Sequence, residues 1–215
     1  MRENFGLYLI LTDPVAGYER AAEVAVSRRV RYLQLRMKRS SREVVLEKAR
    51  ALREITRGTD THFIVNDDVT IAAEADADGV HLGQEDMSLA EARRLWNTPG
   101  KVFGLSTHCA TQAARAVALA PDYIGVGPVF ATPTKARPDP TLGLEYMREI
   151  IQSSPLTTVA IGGVNLDNLA SVLSHGARNF AVVRAVNASA HPEREIAALQ
   201  DEFARIMSNP PRESP

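Results

Sequence analysis

Cysteine, net charge and long apolar runs are all scarce in this 215-residue chain, and each scarcity closes off a class of protein. One cysteine, Cys109, rules out an intrachain disulfide and a multi-cysteine metal site, which suits a reducing compartment. It follows Ser106, Thr107 and His108, yet nothing else suggests covalent chemistry, so a small buried residue is expected there. With 25 Lys and Arg against 26 Asp and Glu, interspersed, the net charge of −1 offers no field to attract nucleic acid or an anionic membrane. Any basic site must be local. No apolar stretch approaches the roughly 20 residues of a membrane-spanning helix. Residues Met1–Asn4 lead directly into strand-like sequence without the apolar core of a signal peptide, so a cytoplasmic location is expected. Neither low-complexity sequence nor a shift in composition marks a domain boundary, and the length suits one large α/β domain.

What the chain does have is alternation. Short runs rich in Val, Ile, Leu and Tyr predict strands at Leu7–Leu11, Tyr32–Met37, His62–Val65, Gly79–Leu82, Val102–Leu105, Tyr123–Val126, Thr158–Ile161 and Phe180–Val183. Helical periodicity predicts helices at Glu19–Arg28, Arg42–Thr56, Thr70–Glu74, Leu89–Trp96, Thr111–Leu119, Leu144–Gln152, Leu166–His175 and Glu193–Met207. Ser40–Glu43 and Ser88–Glu91 both fit a capping box, Pro192 suits a first helical residue, and Gly176 suits a left-handed helix end. Strand–helix units in this number, with strands apolar on both faces, predict a single-domain (β/α)8 TIM barrel over residues 1–208; an open doubly wound sheet is the alternative. The proline-bearing tail 209–215 is expected to be disordered.

Barrel enzymes gather their chemistry at the C-terminal ends of the strands. Uncommon polar motifs follow almost every predicted strand at that end. Gln34, Arg36 and Lys38 share one face of the second strand, where two cations on a buried face demand an anionic partner. Asp67 and Asp86 end adjacent strands; held together they repel, unless a hard cation such as Mg2+ joins them. Helix capping is the plainer reading for Asp67, Asp68 and Asp86, and it accounts for one of them better than for the pair. Arg36, Lys38 and Lys135 supply positive charge for a diphosphate beside that cation. Gly162 and Gly163 let backbone N–H groups approach a phosphate, or simply make a turn. The stretch Phe130–Thr141, with three prolines, is long for a loop of this kind and suits a lid or a mobile linker; Thr132 and Thr134 offer hydroxyls to a substrate or to local turns.

These motifs together resemble the thiamine phosphate synthase family. The resemblance runs from Leu7–Asp13 to Phe180–Val183 and includes Gln34–Lys38, Val65–Asp67, Gly79–Asp86, Gly104–His108, Gly127–Lys135 and Ala160–Val164. It implies transfer of an aminopyrimidine-methyl group from its diphosphate to the nitrogen of a thiazole phosphate. It further implies that Gln34, Leu35, Arg36, Met37, Lys38, Asn66, Ser106 and Lys135 hold the pyrimidine diphosphate, and that Asp67 and Asp86 bind one Mg2+. Thr132, Pro133, Thr134, Gly163, Val183 and Arg184 are implied to hold the thiazole phosphate, with Arg36, Lys38, Lys135 and Ser106 acting in catalysis. The expected partners are these small molecules, without nucleic acid or membrane, and a homo-oligomer is left open. Arg184 departs from the family pattern, which has serine there. It either binds the phosphate bidentately, crowds the pocket or turns outward. A thiazole tautomerase of the same superfamily, or a non-catalytic barrel that binds a thiamine intermediate, are the competing readings.

Overall fold

A computed structural model of the chain describes residues 3–132 and 139–208. Its strands are β1 (Gly6–Leu11), β2 (Tyr32–Leu35), β3 (His62–Asn66), β4 (Gly79–Leu82), β5 (Val102–Thr107), β6 (Tyr123–Val126), β7 (Thr157–Ala160) and β8 (Asn179–Val182). The helices are α1 (Tyr18–Ser27), α2 (Arg42–Thr56), α3 (Val69–Glu74), α4 (Leu89–Leu95), α5 (Ala110–Leu119), α6 (Gly143–Ser153), α7 (Leu166–Ser174), α8 (Arg184–Asn187) and α9 (Pro192–Ser208). All strands pair in parallel, in sequence order, and β8 returns to β1 to close the barrel. The open-sheet alternative is therefore excluded, and the predicted barrel stands.

Alternation along each strand sorts the apolar residues into two compartments. Leu7, Leu9, Leu11, Leu33, Leu35, Val65, Val80 and Leu82 face the helices and form the main core with them. The opposite parity fills the barrel with Tyr8, Ile10, Tyr32, Ile64, Tyr123, Val159 and Ala181. Tyr8 and Tyr32 stack at 5.4 Å between ring centroids, and Tyr123 meets Tyr8 edge-on at 5.6 Å. Such a narrow interior takes large rings only where neighbouring positions are small. A Cβ at Gly104 would lie 2.2 Å from Cζ of Tyr123, so the glycine makes room for the ring.

Closure is stapled where the first and last strands meet. The Asn179 side-chain oxygen accepts from the Phe5 and Gly6 N–H groups at 2.7 and 3.1 Å. Its amide nitrogen donates to Glu3 O at 2.9 Å and Thr158 O at 3.1 Å. One side chain thereby links β7, β8 and the segment entering β1. On the outside, α9 packs against both α7 and α1.

Most elements begin or end one or two residues away from the expected positions. β2 stops at Leu35 instead of Met37, because the chain turns at Lys38 and Arg39. The helix α8 was not expected; four residues carry no periodicity to read. Ser88 and Glu91 do form a capping box, and Pro192 does open α9. Ser40–Glu43 does not form one: Ser41 is the N-cap of α2 and makes no side-chain cap bond. Instead Asn165 and Asn168 form a second box at α7. Cys109 is half-buried at the start of α5 instead of fully buried. The tail 209–215 lies outside the described residues.

Gly104→Ala is expected to destabilise the fold by about 1–3 kcal/mol through overpacking. The check is a thermal melt, and an unchanged Tm would mean that Tyr123 does not need the space.

Candidate active site

The acidic half of the rim is built by the exits from β3 and β4. The N–H of Asp67 donates to His81 O at 2.8 Å, extending the β3–β4 ladder by one step. Asp67 then adopts φ 66°, a left-handed conformation that aspartate tolerates better than most residues. The N-cap of α3 is its neighbour Asp68, which accepts from Thr70 N and Ile71 N at 2.8 and 2.9 Å. Asp86 accepts instead from Gly83 N at 2.6 Å, while Ser88 caps α4. Capping thus explains Asp68 and leaves Asp67 and Asp86 to another purpose.

Their carboxyl groups sit side by side. Burial raises the Asp67 pKa; Lys38 opposes the shift, and Asp86 within hydrogen-bonding reach adds to it. Lys38 Nζ lies 2.5 Å from Asp67 Oδ2. The half-buried guanidinium of Arg36 is pushed down in pKa by desolvation, which the carboxylates of Asp67 and Asp13 oppose. Two carboxylates and two cations therefore share one corner. No cluster of three or more potential metal-ligating side chains occurs among the described residues.

The remaining β2 residues divide by parity. Leu35 is buried against the helices and Met37 packs on the same core, so only their main chain faces the rim. Gln34 points into the barrel and is 2 % exposed, with Nε2 donating to the Tyr8 hydroxyl at 2.9 Å. Asn66 is half-buried at the end of β3, opposite His81 in register. Ser106, on β5, meets His81 Nε2 at 2.9 Å through its Oγ, and its carbonyl accepts from Gln84 Nε2 at 2.5 Å.

On the far side, Val129 N and Phe130 N donate to Ile161 O and Gly162 O, both at 2.9 Å. A Cβ at Gly163 would lie 2.7 Å from Phe130 Cβ, and Gly162 and Gly163 both have positive φ. This packing requires the glycine pair whatever else it contacts. Thr132 is half-buried, whereas Pro133, Thr134 and Lys135 lie outside the described residues. Val183 is the N-cap of α8, and Arg184 opens that helix, exposed and not wedged into a pocket.

Two histidines at this rim have no individual role that the sequence assigns. His108 bonds through Nδ1 to Gly127 O at 2.6 Å, and its Nε2 lies 3.6 Å from Asp139 Oδ2, so it holds both flanks of the long loop after β6. His81 shares the inward parity of Gly79 on β4, and strand alternation alone would have placed it beside Ser106.

Because burial raises the Asp67 pKa, its ionised form costs stability near neutral pH. Any contribution that group makes to folding is complete below its unfolded pKa and is lost as pH rises through the folded one. Asp67→Asn removes the charge, suits the left-handed backbone at least as well, and forfeits only an ion pair with a half-exposed lysine, worth about 1 kcal/mol or less. A Tm about 1–3 °C higher at pH 7 is expected, with the gain shrinking on acidification. A lower Tm at pH 7 would show that the Lys38 contact outweighs the burial.

A sequence model described as thiamine monophosphate synthase matches residues 7–186. Two curated relatives, both named thiamine-phosphate synthase, come from Synechocystis sp. and Archaeoglobus fulgidus. The first is 41 % identical over 204 residues, which cover 95 % of this chain and 59 % of the relative; this chain thus spans well under two thirds of that protein's length. The second is 38 % identical over 208 residues, covering 96 % of this chain and 97 % of the relative. A solved thiamine phosphate pyrophosphorylase from Pyrococcus furiosus superposes with a TM-score of 0.85 at 31 % identity, covering 95 % of this chain and 98 % of that one. With the barrel, the paired carboxylates and their cations already in place, these matches establish that the chain belongs to the thiamine monophosphate synthase family.

Proposed function

We propose that this chain is a thiamine phosphate synthase, joining an aminopyrimidine-methyl diphosphate to a thiazole phosphate with release of diphosphate. The observation that carries the reading is the single corner that holds Asp67, Asp86, Arg36 and Lys38. A diphosphate leaving group needs concentrated positive charge, and a tautomerase has little use for this set.

The donor set fits one Mg2+. Two carboxylates without a third protein ligand among the described residues suit an ion that keeps several waters and takes phosphate oxygens from its substrate. The Lys38 ammonium already seated on Asp67 marks the spot as one that favours a cation. When bound, Mg2+ offsets charge developing on the departing diphosphate.

The chain's own groups do the rest. Arg36 is half-buried and desolvated, so its charge acts in a lower dielectric and is stronger for it. Lys38 and Lys135 add point charges, and Ser106 and Asn66 orient the pyrimidine diphosphate. The electron-rich pyrimidine carries the methylene cation left when the C–O bond breaks, and the thiazole nitrogen then attacks it. That step needs position more than proton transfer, and no general base is assigned. Thr132, Pro133, Thr134, Gly163, Val183 and Arg184 hold the thiazole phosphate, Arg184 as an exposed rim cation.

Incubated with both substrates and Mg2+, the protein is expected to form thiamine phosphate and diphosphate in equal amounts. Failure to form them, or product formation indifferent to both EDTA and Asp67→Asn/Asp86→Asn, would overturn the reading. Arg36→Ala should lower kcat about 10²–10³-fold with the fold intact by circular dichroism; an unfolded variant would make that residue structural. Arg184→Ser should raise KM for the thiazole phosphate alone, and unchanged KM values for both substrates would remove Arg184 from the site.

A further inference from the structure

A continuous line of polar groups crosses the inside of the barrel. Gln34 Nε2 donates to Tyr8 Oη at 2.9 Å, Tyr8 Oη meets Tyr123 Oη at 2.7 Å, and Tyr123 Oη meets His81 Nδ1 at 3.0 Å. His81 Nε2 then meets Ser106 Oγ at 2.9 Å. Gln34, Tyr8 and Tyr123 are each 2 % exposed, so their hydrogen bonds are made within the protein interior. Burial raises the pKa of both tyrosines, keeping both phenols protonated. The contact between Tyr123 and His81 exists because position 104 has no side chain: a Cβ there would lie 2.4 Å from Tyr123 Oη and 2.6 Å from His81 Nδ1.

Elementary hydrogen-bond accounting gives this line a direction. An amide nitrogen only donates, so Tyr8 accepts from Gln34, and among the described residues the acceptor within reach of the Tyr8 proton is Tyr123 Oη. Tyr123, accepting from Tyr8, sends its proton to His81 Nδ1. A neutral imidazole that accepts at Nδ1 carries its hydrogen on Nε2, and that N–H donates to Ser106 Oγ. Each hydroxyl before Ser106 has committed its proton inward. Only the serine proton is left to point out at the rim.

We propose that this relay fixes Ser106 as a hydrogen-bond donor toward the diphosphate, with His81 a positioning residue held in its Nε2–H tautomer by Tyr123. The inference rests on the reading of Ser106 as a diphosphate contact. It explains why a neutral serine at the end of a buried polar line is suited to an anionic ligand. With the opposite polarity, Ser106 would give its proton to His81 and present lone pairs to the phosphate oxygens.

Nitrogen-15 NMR of the imidazole of His81, assigned by its loss in His81→Gln, should show Nδ1 unprotonated and Nε2 protonated; the Nδ1–H tautomer would overturn the direction. Calorimetry with inorganic diphosphate and Mg2+ tests the consequence. Tyr123→Phe and Ser106→Ala should each weaken binding roughly three- to tenfold. The double variant should bind no more weakly than Ser106→Ala alone, and independent, multiplying losses would overturn the coupling. His81→Gln, which keeps a donor near the place of Nε2, should retain more affinity than His81→Leu; equal losses would count against a positioning role. The tautomer is read without turnover, so a protein that makes no thiamine phosphate but shows the Nε2–H form refutes the activity and leaves the relay standing. A protein that makes thiamine phosphate with the Nδ1–H form refutes the relay alone.

Discussion

Closure of the parallel sheet imposes a parity that governs the rest of the molecule. With β8 bonded to β1, every strand residue faces either the helices or an interior too narrow for solvent. A polar residue of inward parity below the rim must find its partner inside. Gln34, Tyr8, Tyr123 and His81 satisfy one another for this reason, and the line they form surfaces at Ser106. Inward parity at the strand ends has the opposite meaning. There Arg36 and Lys38 reach the rim, and Asp67, of the other parity but turned by its left-handed backbone, meets Lys38, where charge is tolerable and useful.

The charged corner is held under tension. Asp67 is partly desolvated, stands beside another carboxylate and has a left-handed backbone, three unfavourable features at one residue. Local strain of this kind persists where the surroundings over-determine it, and here the ladder bond to His81 and the Asp68 cap fix the backbone on either side. Lys38 relieves part of the repulsion. The Arg36 guanidinium, which faces the Asp67 and Asp13 carboxylates, offsets more of it.

Much of this was legible in the residues. Strands β4 and β6 and helix α2 have the predicted ends, because Gly, Pro, Asp or Ser punctuation flanks clean apolar runs. The Asp67 and Asp86 pairing followed from placing them after neighbouring strands. The misses have physical causes. The expected end of β2 is too late because Arg36 and Met37 continue the alternation past Leu35, the last residue with a partner in register. His81 was passed over because a histidine in an apolar strand has no local signature; its partners lie 25 and 42 residues away. Likewise the need for Gly162 and Gly163 to admit Pro128 and Phe130 depends on a neighbouring strand, which no local pattern records.

The Asn179 staple also bears on how the chain matures. Its four bonds join residues 3, 5 and 6 to residue 158, and they cannot form until β8 has left the ribosome. Until then β1 and the newest strand each present an unpaired row of N–H and C=O groups, an invitation to pair with another nascent chain. A ring has no intermediate with a finished edge. During synthesis β8 therefore acts as the element that withdraws the first strand from the reach of its neighbours.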